Sequence, residues 1–383
     1  MAPNIAGVGP LQGFTILELG GIGPGPFCGM MLADMGAEVV RLQRLGEASA
    51  PGPFEPLHRG KSWLAIDLKA PGGPEVVLRM AHQSHALIEG FRPGVAERLG
   101  VGPEECLDAN PALIYGRVTG WGQDGPLAGA AGHDINFIAL AGVLDLIGRG
   151  QPPVIPLNLL ADFGGGGMLL AFGVVCGLLE AQASGVGQVV DAAMVDGAAL
   201  LSTMTHGLRA QGSWPGERGN NFLDGGAPFY QVYETADGGY VSVGAIEPLF
   251  YAELLARLGL GEDQLPSRFD RGSWSDQRDR LAEVFATRSL AEWQQVLEGT
   301  DACFAPVNSA WEAHAHPHLA ARETFVEVAG LRQPAPAPRF SRTPAGKPAS
   351  PASGPGTGEI LARFGFAPEE ITELASRGVI PNP

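Results

Sequence analysis

Short apolar runs alternate with amphipathic stretches along the first half of the chain. Runs of this length are typical of strands, and the stretches between them have apolar side chains at helical spacing. Strands that alternate with helices favour a largely parallel sheet covered by helices, so we predict an α/β fold. The predicted strands are residues 14–19, 37–42, 62–68, 86–89, 113–118 and 188–191, and the predicted helices between them are residues 27–35, 74–82 and 103–109.

The pattern changes at a polar, glycine-rich stretch without periodicity, residues 211–226, which we interpret as a linker. It separates a large domain, residues 1–210, from a smaller α+β domain, residues 227–320. Residues 321–383 are predicted to return over the large domain, first as a proline-rich extended segment, residues 331–356, and then as helices. The remaining predicted elements are a helix at 194–209, a hairpin of strands 229–234 and 240–243, and helices at 248–258, 275–287, 290–297, 359–364 and 368–376.

Two polar runs precede the two most apolar predicted helices. His133 stands before a helix predicted at 135–147, and Asp162 stands before a helix predicted at 165–183. A side chain at a helix start lies beside unpaired N–H groups and the positive end of the helix dipole. Such donors stabilise negative charge on a carbonyl oxygen, and an imidazole and a carboxylate beside them can move protons on and off carbon. We therefore predict a proton-transfer site here.

Each of these residues also has a purely structural interpretation. His133 can cap or pack at a helix start, and Asp162 is a preferred N-cap residue. Glycine is costly inside a helix, so the four glycines of residues 164–167 suggest that something large lies against that backbone. Glu247 is a third candidate acid, and its alternative role is that of a carboxylate in the first turn of a helix.

Basic side chains follow several predicted strands. Open parallel sheets bind ligands beyond the carboxyl ends of their strands, so cations there are candidates for holding phosphates. The alternative is that each is a solvated surface residue. The glycine-rich turn at residues 20–26 lacks the spacing of a dinucleotide-binding loop, so we expect its glycines to let the backbone pass close to a neighbour. The cations concerned are Arg41, Arg44, Lys69, Arg92 and Arg98.

Composition narrows the class of protein. The chain is 45% apolar and 17% charged, as in soluble enzymes. Its net charge of −16 argues against general binding to nucleic acid or to anionic membranes. The most apolar stretch, residues 168–179, is shorter than the roughly twenty residues that span a bilayer, so we predict a buried helix and no membrane partner.

The distribution of cysteine and histidine argues against a metal centre. The 4 cysteines are far apart without a Cys-x-x-Cys pair, which favours reduced thiols and a cytoplasmic location. Cys176 lies in an apolar helix and is predicted to pack in the core. His314, His316 and His318 lie two apart and lack an evident further ligand, so we expect no metal.

Several of these runs resemble the family III CoA-transferase (CaiB/BaiF) superfamily, and some resemble its α-methylacyl-CoA racemases in particular. The resemblance extends over about residues 11–342. The runs typical of the superfamily are residues 18–26, 67–69, 92–94, 98–100 and 120–126, and those typical of the racemases are residues 132–136, 162–166 and 191–197.

The resemblance implies a Rossmann-like large domain with a parallel sheet, a smaller α+β domain, and an interlocked homodimer. The implied active site lies where the large domain of one chain meets the small domain of its partner. The implied reaction interconverts (R)- and (S)-2-methylacyl-CoA thioesters by 1,1-proton transfer through an enolate. It implies no separate cofactor, because CoA is part of the substrate.

The resemblance also implies roles for individual residues. His133 and Asp162 would face opposite sides of the enolate, and the partner's Glu247 would hydrogen-bond His133. The backbone N–H of Asp134 would hold the enolate oxygen, with Asn158 in support. Relatives often carry Tyr at the position of Phe137, so this chain lacks that hydroxyl. The residues implied to bind CoA are Arg44, Ile66, Asp67, Leu68, Lys69, Gly90, Phe91, Arg92, Arg98, Gly132, Ile135, Asn136 and Phe137.

Two other functions remain open from the sequence. A family III CoA-transferase would use Asp162 as a carboxylate nucleophile, a reaction in which His133 has no evident task. A non-catalytic acyl-CoA-binding protein would bind the nucleotide without any proton exchange.

Overall fold

The computed structural model describes residues 9–46, 52, 54–150, 152–261, 264–351 and 355–382. The chain forms two compact units. The first comprises residues 1–141, 157–201 and 321–383, and the second comprises residues 142–156 and 202–320. Residues 142–156 thus belong with the second unit, and the longer segment of that unit begins at Ser202, nine residues before the linker that the sequence suggested.

The first unit is built on a six-stranded sheet in which every neighbouring pair is parallel. The strand order is β3-β2-β1-β4-β5-β6, so the order reverses between β1 and β4. In such sheets, ligands bind beyond the carboxyl ends of the strands at the point of reversal. All six predicted strands are present, which confirms the α/β class. Their bounds are β1 Thr15–Leu19, β2 Glu38–Arg44, β3 Lys61–Ile66, β4 Ala86–Glu89, β5 Ile114–Thr119 and β6 Gln188–Ala193.

Helices cover both faces of this sheet and bury its apolar side chains. Leu17, Val40, Leu64, Leu87 and Tyr115 are almost fully buried in one continuous core. The helices between β1 and β5 are α1 Pro24–Asp34, α2 Gly73–His82, α3 Val95–Arg98 and α4 Pro103–Ala109. The helices that follow β5 in the chain are α5 Asp134–Leu140, a π-helix at Leu159–Met168, α6 Leu169–Ser184 and α7 Met194–Leu201.

The second unit has a three-stranded antiparallel sheet covered by helices. Its third strand was not predicted, because it is only three residues long. Its core contains Phe229, Phe285 and Trp293. The elements are α8 Thr203–Ala210, β7 Tyr230–Glu234, β8 Tyr240–Gly244, α9 Pro248–Leu258, α10 Trp274–Phe285, α11 Leu290–Leu297 and β9 Phe304–Pro306, followed by α12 Pro317–Ala321.

The C-terminal residues return to the first unit. A hairpin that the sequence did not predict, β10 Phe325–Val328 with β11 Leu331–Pro334, opens this return. Helices α13 Thr357–Arg363 and α14 Pro368–Ser376 then pack Leu361 and Phe364 into the core of the sheet. Residues 352–354 of the predicted extended segment lie outside the described residues.

Three predicted helix bounds were wrong. The helix after His133 ends at Leu140 rather than at residue 147, because Gly142 has a φ of 80° and stops it. The predicted helix at 194–209 is two helices, α7 and α8, that break at Ser202. The helix after Asp162 begins earlier than predicted, at Leu159, so Asp162 lies inside its first turn and not before it.

The four glycines of residues 164–167 lie against neighbouring helices. A side chain at Gly165 would meet the backbone of α7, with its Cβ 2.7 Å from Ala198 N. A side chain at Gly167 would meet α1, with its Cβ 2.8 Å from both Pro24 O and Phe27 Cδ1. The neighbours that the glycines predicted are therefore helices of the same chain. The π-helix packs closely between α1 and α7.

The π-helix continues without a break into α6, and this corrects two predictions. The combined helix of 26 residues is long and apolar enough to cross a membrane by length and composition alone, so the argument from a short apolar stretch was wrong. One face packs on the sheet through Leu170 and Val174, both fully buried. Cys176 is on the exposed face of this chain with Phe172 and Leu179, and not in the core.

Candidate active site

A cavity of about 570 Å³ opens beyond the carboxyl ends of β1, β4 and β5. His133, Asp162 and Asn158 all line it, together with the glycine-rich turn. The two candidate proton-transfer residues therefore share one cavity. The rest of the lining comes from residues 20–26, 90–93, 118–121, 128 and 130–132, with Phe137 and Met194.

His133 is the N-cap residue of α5 and has an extended backbone, with φ −133° and ψ 172°. Its N–H donates to Asn136 Oδ1 at 3.0 Å, which is a local cap of the kind that starts many helices. The ring of Phe137 packs edge-on against Trp121, with their centroids 4.7 Å apart. A Cβ at Gly132 would be 2.7 Å from that ring, so the backbone before His133 lies close against Phe137.

Asp162 is partly buried, and its environment shifts its pKa. Burial raises the pKa of the Asp162 carboxyl above its usual range, the hydrogen bond from Asn158 opposes the rise, and the nearby Asp134 carboxylate adds to it. Asn158 Nδ2 donates to Asp162 Oδ2 at 3.1 Å. A Cβ at Gly23 would come within 3.8 Å of the same oxygen, so the carboxylate lies against the glycine-rich turn.

Asp134 connects the two helix starts through its side chain, a role that the sequence analysis missed. Its Oδ2 accepts hydrogen bonds from the N–H groups of Ala161 at 2.7 Å and of Asp162 at 2.8 Å. The only signal in the sequence was that Asp134 follows His133 directly. That the helix at Leu159 has no side-chain cap from its own N-cap residue is evident only in the structure.

A second, smaller cavity of about 220 Å³ adjoins the first and shares Gly20, Gly21 and Phe91 with it. Arg44 and Lys69 supply its positive charge. The residues implied to bind CoA that line this cavity are Arg44, Ile66, Asp67, Leu68, Lys69 and Phe91. Gly90, Arg92, Gly132 and Phe137 line the larger cavity instead.

Three of the implied CoA-binding residues are in neither lining. Arg98 is exposed on α3, and Ile135 and Asn136 are exposed in the first turn of α5. The side chain of Asn136 instead accepts the hydrogen bond from the N–H of His133 that is described above. Arg98 itself lines neither cavity, but its neighbour Leu99 lines the smaller one with Arg44 and Lys69.

Arg41 is buried, so it is neither the candidate phosphate-binding cation nor the solvated surface residue that the sequence left open. It lies beside Glu18 in the parallel register of β1 and β2, and the two side chains form an ion pair. Its guanidinium also donates to the carbonyls of Gly20 at 3.0 Å and Gly21 at 2.7 Å. Lys61 binds Glu18 and the carbonyl of Pro26, at 2.6 and 2.7 Å. These buried charges hold both ends of the glycine-rich turn.

A second buried carboxylate holds the wall between the cavities. Glu89 Oε2 accepts a hydrogen bond from the N–H of Phe91 at 2.6 Å, and Arg117 binds Glu89 Oε1 at 2.7 Å. Burial raises the pKa of Glu89, and the N–H of Phe91 and the charge of Arg117 oppose this rise. The loop at residues 90–92 is thus fixed by a charge that solvent does not reach.

Glu247 belongs to the second unit, where it is exposed at the N-cap position of α9. Its backbone carbonyl accepts the N–H of Tyr251 at 3.0 Å, so its structural role is that of a helix start. Among the residues that the structure describes, no cluster of three or more His, Cys, Asp or Glu side chains is arranged to hold a metal. His316 instead pairs with Glu298 at 2.9 Å.

Comparison with known proteins assigns the family. The model of CoA-transferase family III matches residues 11–359. The chain belongs to CoA-transferase family III. The crystal structure of Rv3272 from M. tuberculosis is similar to this fold, with a TM-score of 0.75 and 27% identity over 94% of this chain and 99% of that one. A CAIB/BAIF family protein from Brucella suis gives a TM-score of 0.75 at 25% identity over 93% and 99%.

The sequence relatives in this family include racemases and transferases. The chain is 50% identical to the α-methylacyl-CoA racemase of Mus musculus and 46% identical to that of Homo sapiens, and each match covers 97% of both chains. It is 30% identical to the succinyl-CoA–D-citramalate CoA-transferase of Chloroflexus aurantiacus, over 97% of this chain and 98% of that one.

Proposed function

We propose that this protein racemises 2-methylacyl-CoA thioesters. The observation that carries the proposal is that His133, at the N-cap of α5, and Asp162, in the first turn of the π-helix, line one cavity. Identities of 50% and 46% to two racemases over nearly the whole chain support the same reaction. A transferase needs the carboxylate alone, whereas a racemase needs two bases on opposite faces of one carbon.

The reaction begins with loss of the α-proton of the thioester to one base. If His133 takes it, the pair of electrons in the C–H bond moves into the carbonyl and forms an enolate. The N–H of Asp134 at the start of α5 stabilises the oxyanion. Asp162 then donates a proton to the opposite face, and the reverse sequence converts the other enantiomer. A raised pKa suits Asp162 to this task, because a carboxyl that ionises nearer neutral pH serves as both acid and base.

The nucleotide occupies the smaller cavity, where Arg44 and Lys69 bind phosphates. The pantetheine arm passes the wall formed by Gly20, Gly21 and Phe91, which both cavities share. The protein acts as a homodimer in which the partner's Glu247 orients His133. No cofactor besides the CoA of the substrate takes part, and the enzyme works in cytoplasmic fatty acid metabolism.

Deuterium exchange tests the proposed reaction. Each enantiomer of a 2-methylacyl-CoA is incubated with the protein in deuterated water, and α-deuterium and optical purity are followed together. We expect deuterium to enter both enantiomers as the mixture racemises. Exchange of neither enantiomer would overturn the proposal. Trapping of an acyl or CoA adduct on Asp162 by hydroxylamine or borohydride, with no exchange, would instead support the transferase.

A pair of arginine variants tests where the nucleotide binds. Arg44→Ala removes a charge from the smaller cavity, and Arg98→Ala removes one that lines neither cavity. We expect Arg44→Ala to raise KM for the CoA thioester about tenfold, the effect of roughly one charged hydrogen bond, with little change in kcat. Arg98→Ala should leave KM within a factor of about two. Equal effects of the two variants would contradict this placement.

A further inference from the structure

Asp134 carries a carboxylate in an unusual position. Only 3% of the residue is exposed, and Oδ2 accepts two backbone hydrogen bonds from Ala161 and Asp162. Oδ1 is buried and has no hydrogen-bond partner among the described residues. A buried charge with one unpaired oxygen is costly, so a purely structural role would be served as well by a neutral side chain.

The helix that carries Asp162 is capped from a distance. Asn158 occupies its N-cap position but makes no cap hydrogen bond, and its amide donates to the Asp162 side chain. Two N–H groups at the start of the π-helix, those of Ala161 and Asp162, instead donate to Asp134, which lies 28 residues before Asp162 in the sequence. The Asn158 side chain, at the position where it could cap this helix, therefore contacts the Asp162 carboxylate.

Asp134 is also bonded covalently to His133. A single peptide unit joins it to one candidate base, and a single hydrogen bond of 2.8 Å joins its carboxylate to the backbone of the other. We propose that the Asp134 carboxylate is the positioning residue that sets the separation and relative height of His133 and Asp162. This inference rests on the proposed racemase function, in which both groups must reach one planar carbon.

The charge of Asp134 acts on Asp162 in addition to its hydrogen bonds. Asp134 is one of the causes of the raised pKa of Asp162, with burial the larger cause. Asp162 must be ionised to remove a proton, so the exchange that it starts, the Asp162-dependent half-reaction, slows as pH falls through the pKa of Asp162. We call this part of the pH–rate profile the acid limb, and the charge of Asp134 moves it to higher pH. Two different substitutions of Asp134 can therefore separate the effect of its hydrogen bonds on the position of Asp162 from the effect of its charge on the pKa of Asp162.

The test compares Asp134→Asn with Asp134→Ala. Asparagine keeps an oxygen that can accept from the N–H groups of Ala161 and Asp162 but has no charge. Alanine has neither the acceptor oxygen nor the charge. For Asp134→Ala we expect exchange of the enantiomer that depends on Asp162 to fall about 100-fold, a loss typical of a displacement of about 1 Å. Exchange that depends on His133 should fall by less than about threefold, within the scatter of remote substitutions.

Asp134→Asn should restore most of the Asp162-dependent exchange above the acid limb, and the limb should move to lower pH. Asp270→Ala serves as the control, because Asp270 also accepts a backbone N–H, from Gly272 at 3.1 Å, but in the second unit. This control should leave both half-reactions and the pH profile unchanged. Thermal melting of each variant shows whether it is folded.

The outcomes separate this inference from the proposed function. If the unmodified protein exchanges neither enantiomer, the proposed function fails. If it exchanges both, but Asp134→Ala lowers the two equally, the positioning role is overturned. If Asp134→Ala does not fold, Asp134→Glu decides, because glutamate keeps the charge and the acceptor oxygens but lengthens the side chain that holds the N–H groups of Ala161 and Asp162. A fall in Asp162-dependent exchange alone supports the inference, and an equal fall, or no fall, for both enantiomers overturns it.

Discussion

The two helix starts at the larger cavity are built in different ways. His133 precedes its helix and is capped by Asn136, three residues further along the chain. Asp162 lies inside the first turn of a π-helix whose cap comes from Asp134 and whose glycines press against α1 and α7. Local sequence thus positions the first base, and long-range contacts position the second. π-Helical turns are rare in proteins, but many of those that occur lie at functional sites, which agrees with the position of Asp162 in one.

The largest expected effect comes from removing either base. Asp162→Asn and His133→Ala should each lower the rate of racemisation by a factor of about 10²–10⁴, the usual contribution of a positioned acid or base. Racemisation is measured by chiral analysis of the product over time. If Asp162→Asn were as inactive as expected while His133→Ala kept nearly full activity, a single-carboxylate mechanism would replace this one.

Glycine variants test whether the Asp162 helix depends on long-range packing. A Cβ at Gly197 in α7 would lie 1.9 Å from Gly165 O, whereas one at Gly164 would meet nothing closer than 3.2 Å. We expect Gly197→Ala to lower the free energy of unfolding by about 3 kcal/mol or more. Gly164→Ala should change it by less than about 1 kcal/mol. Chemical unfolding of both variants would reveal equal stabilities if the contact were unimportant.

The smallest effects come from the two asparagines, one beside each base. Asn158→Ala removes the hydrogen bond that lowers the pKa of Asp162, so that pKa should rise further. The acid limb of the Asp162-dependent half-reaction should then move to higher pH, because Asp162 must be ionised to accept a proton. A pH–rate profile for each enantiomer measures the limb, and no movement would contradict the assigned hydrogen bond.

Asn136→Ala is the matched variant at the other helix start. Loss of the cap on the N–H of His133 should cost about 1 kcal/mol of stability. It should leave the acid limb of the Asp162-dependent half-reaction in place, because Asn136 has no contact with that carboxylate. Thermal melting and the same pH profile measure both effects, and a shifted limb would mean that the two helix starts are not independent.

The same contrast explains what could be predicted from the sequence. The six strands follow from local apolar runs, and the start of the helix after His133 follows from a cap within four residues. The π-helix could not be predicted, because its cap and its packing partners lie far away in the chain. The burial of Arg41 likewise depends on Glu18, a neighbour only in the folded sheet, although an acidic residue within an apolar strand was a signal of it.

Stereospecific exchange in the single-base variants tests the central claim most directly. His133→Ala and Asp162→Asn are each incubated with the separate enantiomers in deuterated water, and α-deuterium is measured by mass spectrometry. If the two residues face opposite sides of one enolate, each variant should still exchange one enantiomer, and the two variants should exchange opposite ones. Exchange of the same enantiomer by both variants, or of both enantiomers by either, would contradict the account.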